Sequence, residues 1–461
     1  MNGLYETIAA VSTPRGKGGV AIILISGYDA LSVGDAVFSK KLSDTEANRA
    51  VYGKIYFPMP DGTRENIDDG IATVFRAPNS FTGEDTVEIS CHGGVLITER
   101  VLAACFAAGA RQAEAGEFTR RAYVNGKMRL DSAEALGALL EAKTLPQLTL
   151  ARSGISGRLA KASDELYDEL LTVAAELRAD IDFPDEDVSE MTDAELYEKL
   201  SHVLTETEKL AKTYTTGRAI ADGVSTVICG RTNSGKSSLY NRIVGYDAAI
   251  VTDIEGTTRD IITDTVSFGG VTLRLCDTAG IRDSLDPVEQ IGIDRARDAL
   301  YSAELIFTVV DGSQLLEKAD LELMERISEA KGYKIAIINK TDLPAAAKSL
   351  DFTRNFDATV SISAKTGEGI DDLAKAVSDA FLSGDVDAST DAIVSTARQY
   401  GALVSAEKLL RSALKGIDDG LPCDLVCVDV ESALSELASI GGREAGEDMI
   451  ATIFSKFCVG K

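Results

Sequence analysis

A single stretch, residues 224–241, constrains the fold of this chain more than any other part of it. Residues 224–229 are apolar and rich in β-branched side chains, so they predict a strand. Residues 230–237, GRTNSGKS, match the pattern G-x-x-x-x-G-K-[ST], and residues 238–244 favour a helix. Because backbone N–H groups at a helix N-terminus bind phosphate oxygens, this order of elements predicts a phosphate loop.

The side chains of this loop have separate expected roles. Lys236 is placed to reach the β- and γ-phosphates and to act in catalysis, and the Ser237 hydroxyl is placed to ligate Mg²⁺. The expected nucleotide contacts of the loop are Asn233, Ser234, Gly235, Lys236, Ser237 and Ser238. A glycine turn without a ligand is the alternative, and the flanking strand and helix argue against it.

A second motif follows the predicted strand at residues 271–276. It consists of Asp277, Thr278, Ala279 and Gly280. Asp277 is placed to hold Mg²⁺ through water, and Gly280 lets its N–H turn toward the γ-phosphate.

Two later motifs indicate which base is bound. Their residues are Asn339, Lys340, Asp342, Ser363 and Ala364. The Asp342 carboxylate can accept from guanine N1–H and N2–H₂, whereas adenine offers neither donor there. The backbone N–H of Ala364 is expected to close over the base. Four motifs in this order, each at the end of a predicted strand, predict a GTP-binding domain.

The composition limits the classes of partner. With 47 Lys and Arg against 73 Asp and Glu, the formal net charge of −26 excludes a broad basic surface for nucleic acid. Any contact with RNA must therefore use a local patch or a partner's surface. Seven cysteines without a C-x-x-C pair, and two histidines, support neither a disulfide framework nor a zinc site. With no signal peptide or membrane-spanning stretch, these features predict a cytoplasmic protein of about two to four domains.

The N-terminal part of the sequence mixes strand and helix patterns. Strands are predicted at residues 20–25, 69–75 and 86–90, and a helix is predicted at 95–108. Residues 1–127 are therefore expected to form an α/β domain.

Helical periodicity begins near residue 131. Asp131 followed by Glu134 predicts an N-cap at this point. Further helices are predicted at residues 164–181, 194–211, 391–414 and 430–457.

Helical sequence thus lies on both sides of the GTP-binding region. We predict one helical domain formed by residues 128–217 and 383–461, with a Ras-like P-loop GTPase domain inserted at 218–382. Two separate helical domains are the alternative. The predicted fold class is therefore multidomain, α/β plus all-α.

The residue that orients the attacking water is not the usual one. Ras-like GTPases place a Gln directly after D-x-x-G, and this position holds Ile281. Glu289, in the carboxylate-rich stretch at residues 281–294, is the candidate for this role. A solvated helix face is the alternative interpretation of Glu289.

The stretch at residues 251–260 supplies candidate ligands for cations. Thr258 is placed to complete the Mg²⁺ shell, and Thr252 and Thr258 are expected to contact GTP. A candidate site for a monovalent cation comprises the Asn233 side chain and the backbone carbonyls of Thr252, Ile254 and Thr257. A cation there would neutralise transition-state charge as an arginine finger does.

Motifs spread along the whole chain carry a family resemblance. They lie at residues 79–85, 91–94, 116–119, 181–186, 230–238, 252–260, 277–282, 288–293 and 457–461. The terminal F-C-V-G-K is the most specific of them. Together they resemble the MnmE (TrmE) family of tRNA modification GTPases, which form 5-carboxymethylaminomethyluridine.

The resemblance implies a fold and an activity. The N-terminal domain is expected to bind a tetrahydrofolate derivative, in the methylene or formyl form, and to dimerise. The GTPase is expected to be activated by K⁺, with its GTPase domains dimerising transiently during hydrolysis. With an MnmG-type, FAD-dependent flavoprotein, in a heterotetramer, the family adds an aminomethyl-type group at C5 of the wobble uridine of certain tRNAs.

The resemblance also implies roles for particular residues. Glu88, Lys127 and Lys461 would contact folate, and Glu289 falls where the family keeps its water-orienting Glu. Leu24 stands where the family commonly has Arg, so one folate contact is missing.

The C-terminus is expected to complete the folate site. If the apolar run at residues 449–457 docks through Phe454 and Phe457, the last residues can reach the folate pocket. Lys461 would then offer a cation to an anionic group of the folate, and Cys458 a thiol to the one-carbon unit. A structural cysteine is the alternative.

Two other functions remain open from the sequence. One is a GTP-dependent switch in ribosome assembly, and the other is a folate-binding interaction protein whose GTPase gates assembly. From residue 382 onward the chain has seven Lys and Arg against thirteen Asp and Glu, which disfavours an appended RNA-binding module.

Overall fold

The structure, a computed structural model, divides the chain into two compact units, Met1–Gly137 with Gly441–Lys461 and Ala138–Ile440. The residues that it describes are 6–14, 16–183, 192–246, 263–276, 299–345, 354–382, 386–443 and 447–460. Within these ranges, no helix is both long enough and apolar enough to cross a membrane.

The first unit and the GTPase sequence contain both strands and helices. The strands are β1 (Ile8–Val11), β2 (Val20–Ser26), β3 (Arg49–Pro58), β4 (Arg64–Phe75), β5 (Thr86–His92), β6 (Arg111–Gln112), β7 (Val224–Cys229), β8 (Thr263–Phe268), β9 (Val271–Cys276), β10 (Leu305–Asp311), β11 (Tyr333–Asn339) and β12 (Ala358–Ser361). The helices are α1 (Ala30–Val37), α2 (Val95–Ala107), α3 (Glu117–Val124), α4 (Leu130–Glu141), α5 (Leu145–Ile155), α6 (Arg158–Asp182), α7 (Asp193–Lys212), α8 (Tyr214–Ala221), α9 (Lys236–Val244), α10 (Lys318–Ser328), α11 (Ile370–Phe381), α12 (Ala397–Asp418), α13 (Cys423–Ile440) and α14 (Glu447–Ser455).

The first unit is built on a six-stranded sheet in the order β3-β4-β5-β2-β1-β6. Neighbouring strands are antiparallel, except that β1 and β6 are parallel. In β2, Ala21, Ile23 and Ile25 are buried while the residues between them are only partly so. This alternation places one face of the sheet against α1 and α2, whose Val33 and Val101 belong to the same core. β2, β4, β5 and α2 confirm the elements predicted for this part of the sequence.

The predicted N-cap at Asp131 is wrong. α4 begins one residue earlier, at Leu130, whose N–H donates to the carbonyl of Gly441 at 3.4 Å. Asp131 lies in the first helical turn, buried, with its carboxylate 3.4 Å from the Arg129 guanidinium. A remote carbonyl therefore satisfies the first N–H of this helix, and a local pattern cannot indicate such a partner.

The single helix predicted for residues 430–457 is two helices. α13 ends at Ile440 and α14 begins at Glu447. Between them Gly442 has a φ of 83°, a left-handed conformation that ends a helix. A Cβ on Gly442 would lie 2.5 Å from the Leu130 Cβ, so glycine is required there for packing as well.

The helix predicted from residue 391 begins later, at Ala397. The Thr396 hydroxyl accepts from the Gln399 N–H at 3.2 Å, and the Gln399 side chain accepts from the Thr396 N–H at 3.3 Å. This capping box satisfies backbone N–H groups at the start of α12 and sets where the helix begins.

The second unit contains a bundle of α6, α7, α12 and α13. Buried apolar residues recur along α6 at Leu166, Leu170, Val173 and Leu177, which is the spacing of one helix face. They share one core with apolar residues of the other three helices. Helices from both sides of the GTPase sequence thus form one domain, as predicted.

The sheet of the GTPase sequence has the order β12-β11-β10-β7-β9-β8. Its strands are parallel, except for the antiparallel pair β8 and β9. β10 is buried from Leu305 to Val310, as expected of a strand covered on both faces. β7, β9 and β11 confirm the strands predicted before the motifs, and their carboxyl ends form one edge of the sheet, where ligands bind in folds of this type.

The GTPase sheet is inserted into the helical sequence. α8 leads into β7, and the chain returns beside α8: a Cβ on Gly217 would lie 2.0 Å from the Val394 carbonyl oxygen. The Val394 N–H donates to the Thr213 hydroxyl at 3.0 Å. The two ends of the insertion are therefore adjacent, which confirms the predicted fold class. The domain boundaries at residues 127, 217 and 382 stay predictions.

Candidate nucleotide-binding site

The phosphate loop lies between the end of β7 and the start of α9. Gly230 and Gly235 have φ angles of 148° and 101°. A Cβ on Gly230 would lie 2.3 Å from the Val309 carbonyl oxygen, and one on Gly235 would lie 2.1 Å from Asn339 Nδ2. Both positions therefore require glycine, as the sequence pattern predicts.

Lys236 lies within the curve of this loop. Its Nζ donates to the carbonyl oxygens of Gly230 at 2.8 Å and Arg231 at 2.9 Å. Asn233 is exposed and has a φ of 64°, while Ser237 and Ser238 are exposed in the first turn of α9. These residues line the N-terminus of a helix, where backbone N–H groups favour an anion.

Asn339 joins three of the predicted motifs. Its Nδ2 donates to the Ser234 carbonyl at 2.9 Å, and its Oδ1 accepts from the Ala364 N–H at 2.9 Å. The side chain is buried with both polar atoms paired. Asn339 thus sets the separation of the phosphate loop and the base-contacting segment. The Ala364 N–H expected to close over the base is already a donor to Asn339.

The carboxylate that is expected to select guanine is held by Ser363. The Ser363 hydroxyl donates to Asp342 Oδ1 at 2.8 Å. Asp342 is exposed, as a carboxylate that accepts from a bound base must be. The structure thus brings together Asn339, Asp342, Ser363 and Ala364, although they come from two separate motifs.

The sequence did not single out Asp311 or Arg242, which support this site. Asp311 ends β10 and pairs with Lys340 Nζ at 2.6 Å. Burial raises the pKa of Asp311, but hydrogen bonds from Lys340 and Ser313 outweigh this and hold it below its ordinary value. Arg242 donates to the carbonyls of Ala364 at 3.0 Å and Lys365 at 2.7 Å. An acidic residue at the end of a buried strand was the available signal for Asp311.

Several predicted site residues lie outside the described residues. They are Thr252, Ile254, Thr257, Thr258, Asp277, Thr278, Ala279, Gly280, Glu289 and Lys461. Among the described side chains, no group of three or more His, Cys, Asp or Glu is arranged as a metal site.

In the first unit, the register of the sheet pairs two predicted folate contacts. Leu24 of β2 lies directly opposite Glu88 of β5, and Thr73 of β4 lies on the other side of Glu88. Glu88 is half-buried, and this burial raises its carboxyl pKa. Leu24 packs against the small core that contains Phe118. Lys127 lies against the 79–85 loop, since a Cβ on Gly83 would lie 3.1 Å from Lys127 Cγ.

Two of the family signatures meet through buried charges beside that loop. Arg121 is 1% exposed and contacts Glu84 oxygens at 3.0 and 3.1 Å and Glu117 Oε1 at 2.9 Å. Burial raises the pKa of Glu117, but hydrogen bonds, first from the Arg111 guanidinium, lower it to about 2. Removing one partner would leave a buried charge unpaired, so the network fixes the position of the 79–85 loop relative to α3.

The C-terminal residues pack within the first unit. Phe454 is buried in a cluster with Leu130 and Ala133, and a Cβ on Gly137 would lie 3.1 Å from the Phe457 ring. Val459 then pairs with Ala115 in an antiparallel bridge. The helix thus docks through its aromatic residues, which meets the condition set in the sequence analysis, and Cys458 is exposed next to it.

A mostly parallel sheet with a phosphate loop after β7 and a guanine-recognition motif after β11 defines a P-loop GTPase. Residues 7–127 match the family described as GTP-binding protein TrmE N-terminus, and residues 130–458 match the MnmE helical domain. The chain belongs to the MnmE family, which confirms the resemblance inferred from its motifs.

Two curated relatives agree with this assignment, and one solved structure is similar over part of the chain. The chain is 40% identical over 460 residues to the tRNA modification GTPase MnmE of Lacticaseibacillus paracasei, covering 99% of this chain and 98% of that protein. It is 42% identical over 467 residues to that of Geobacillus thermodenitrificans, covering 99% of each. A crystal structure of Aquifex aeolicus Era bound to GDP·AlF4⁻ is 24% identical, covers 40% of this chain and 66% of that chain, and has a TM-score of 0.29.

Proposed function

We propose that this protein hydrolyses GTP and uses this activity in tRNA modification, together with a flavoprotein that carries FAD. The reaction would add an aminomethyl-type group, such as carboxymethylaminomethyl, at C5 of the wobble uridine of certain tRNAs. The observation that carries the proposal is the match to tRNA modification GTPases over 99% of the chain. The nucleotide site of the second unit supports the GTPase part independently.

The described part of the nucleotide site supports the roles proposed for Lys236, Ser237 and Asp342. Lys236 would neutralise charge on the β- and γ-phosphates, while Asp342, held by Ser363, would pair with guanine. Ser237 in the first turn of α9 and Thr258 would hold Mg²⁺. An Mg²⁺ ion held by these two hydroxyls would offset the negative charge of the phosphates.

Water orientation is assigned to Glu289 and charge neutralisation to K⁺, held by Asn233 and the carbonyls of residues 252, 254 and 257. Glu289→Ala is expected to keep GTP affinity and lose turnover by about 10²-fold or more, because a positioned general base contributes that much. Wild type is expected to turn over faster in K⁺ than in Na⁺. Steady-state phosphate release in the two salts measures the turnover of Glu289→Ala and the rate ratio of wild type. Glu322→Ala, on the exposed side of α10, is the control for loss of a surface carboxylate.

Either half of this assignment can fail separately. Equal rates in K⁺ and Na⁺ would remove the cation from the mechanism. Normal turnover by Glu289→Ala would remove Glu289.

The first unit is assigned a tetrahydrofolate derivative, in the methylene or formyl form. A half-buried carboxyl at Glu88, with Lys127 at the 79–85 loop and Lys461 at the chain end, suits the N–H donors and the carboxylates of such a ligand. The bound folate would supply a one-carbon unit.

Leu24→Arg is expected to tighten folate binding by about tenfold, which corresponds to one added charge-assisted hydrogen bond. The new guanidinium would stand opposite Glu88 in the sheet register. Calorimetric titration of the full chain with a tetrahydrofolate derivative measures the effect. Leu24→Met is the matched control, because it changes the packing of this position without adding charge. Absence of binding heat for wild type and for Leu24→Arg would remove the folate site.

The proposed assembly is a homodimer through the N-terminal domain, with transient dimerisation of GTPase domains and a heterotetramer with the flavoprotein. Because the net charge of −26 excludes a broad basic surface, contact with tRNA would use a local patch or the flavoprotein's surface. The seven cysteines are all free thiols, which suits a cytoplasmic location.

Nucleoside analysis of tRNA from a deletion strain tests the proposed function. Loss of the C5-modified wobble uridine, restored by the wild-type chain, is the expected result. Unchanged nucleosides together with a defect in ribosomal particles would favour a switch in ribosome assembly instead. Unchanged nucleosides with normal particles would favour a folate-binding interaction protein.

A further inference from the structure

Arg231, the second residue of the phosphate loop, has a side chain that contacts a different segment of the chain. Its Nη2 donates to Gln314 Oε1 at 2.9 Å. Its Nη1 lies 2.5 Å from Glu317 Oε1 and 3.7 Å from Asp320 Oδ2. The guanidinium therefore connects the loop to the segment between β10 and α10.

The backbone of the same residue supports Lys236. The Arg231 carbonyl accepts from Lys236 Nζ at 2.9 Å and from the Ser234 N–H at 3.2 Å. The position of this peptide group thus affects where the Lys236 ammonium lies. A change in the Arg231 side chain can therefore shift the Arg231 carbonyl and, with it, the Lys236 ammonium.

The segment that receives the guanidinium is itself well fixed. Asp320 is buried and accepts from the Glu317 N–H at 2.9 Å, as part of a capping box at the start of α10. At the other end of the segment, Asp311 accepts from the Ser313 N–H at 3.0 Å and pairs with Lys340. The segment between β10 and α10 is therefore held in place by its own hydrogen bonds. The contact with Arg231 then fixes the phosphate loop against this segment.

We propose that Arg231 is a positioning residue for the phosphate loop. It sets the peptide group that holds Lys236 without itself contacting the phosphates. The inference rests on the proposed GTP hydrolysis and adds to it a residue that acts through Lys236. An arginine is suited to this role because its Nη2 donates to Gln314 while its charge lies beside Glu317, whereas a lysine offers a single point charge.

The test compares Arg231→Gln and Arg231→Lys with wild type in the full chain. Arg231→Gln is expected to lower kcat for GTP by about tenfold or more, since displacement of a catalytic group by about 1 Å costs up to about a hundredfold. Arg231→Lys should recover part of this loss, because the charge beside Glu317 is retained while the hydrogen bond to Gln314 is lost. The preference for GTP over ATP should be unchanged in both variants, since it is set at Asp342.

A purely structural role would give a different result. It would lower the thermal midpoint and the folded fraction while leaving kcat per folded molecule unchanged. Lys318→Gln is the matched control, because it removes an exposed pair with Glu322 on the same helix. Glu317→Gln should reproduce the kcat loss, and the double variant Arg231→Gln with Glu317→Gln should be no worse than Arg231→Gln alone.

The inference is overturned if folded Arg231→Gln has a kcat within about twofold of wild type, or if the two losses simply add. Affinity for a fluorescent GTP analogue, measured on the same variants, separates this failure from failure of the proposed function. If wild type does not hydrolyse GTP, weakened binding of the analogue by Arg231→Gln still supports positioning, and unchanged binding overturns it.

Discussion

Asp342→Asn is expected to transfer the base preference of this protein from guanine to xanthine. The aspartate can only accept hydrogen bonds, whereas an asparagine amide can donate to the O2 of xanthine. The Ser363 hydroxyl, which donates to Asp342 Oδ1 at 2.8 Å, can still donate to the amide oxygen and orient the new side chain. Loss of two charge-assisted bonds of about 1.5–3 kcal/mol each lowers GTP affinity by roughly 10²–10⁴-fold.

Competition between GTP and XTP for a fluorescent guanine nucleotide measures this exchange. Asp371→Asn is the matched control, because Asp371 accepts from the Tyr246 hydroxyl in the same sheet domain and lies outside the nucleotide motifs. Unchanged GTP selectivity in Asp342→Asn, with normal selectivity in the control, would refute the assignment of Asp342 to the base.

Cys458→Ser is expected to abolish tRNA modification while GTP turnover and folding stay normal. Cys458 is exposed, and its carbonyl accepts from the Gly116 N–H at 3.4 Å. The backbone that bears this thiol is therefore held in place. Gly460 packs against β1, where a Cβ would lie 2.3 Å from the Val11 carbonyl oxygen. A serine hydroxyl keeps the size of the side chain but is a far weaker nucleophile than a thiolate.

Nucleoside analysis of tRNA from a strain that carries only the variant measures the loss. Cys423→Ser is the matched control, because Cys423 is a partly exposed thiol on α13 that donates to the Leu177 carbonyl. Phosphate release by the purified variant confirms that the GTPase is intact. Full modification in the Cys458→Ser strain would return Cys458 to a structural role.

The sequence by itself determined those features whose physics is local. The phosphate loop is a strand, a glycine turn and a helix within one short stretch, and each of its glycines has a φ that other residues rarely adopt. The buried face of α6 is likewise set by apolar residues one helical turn apart. Resemblance to a family added the assignments to folate and the flavoprotein, which no local pattern could supply.

Only the tertiary structure decided which distant residues meet. Leu24 and Glu88 face each other because β2 pairs with β5 in one register, and a shift of one residue would place them on opposite faces. The contact of Arg231 with Glu317 depends on β7 and β10 lying side by side in the sheet. The start of α4 depends on a carbonyl of Gly441, so the cap expected at Asp131 was wrong. The packing of whole strands and helices decides which of these residues are in contact, and the local sequence around each residue does not identify its partner.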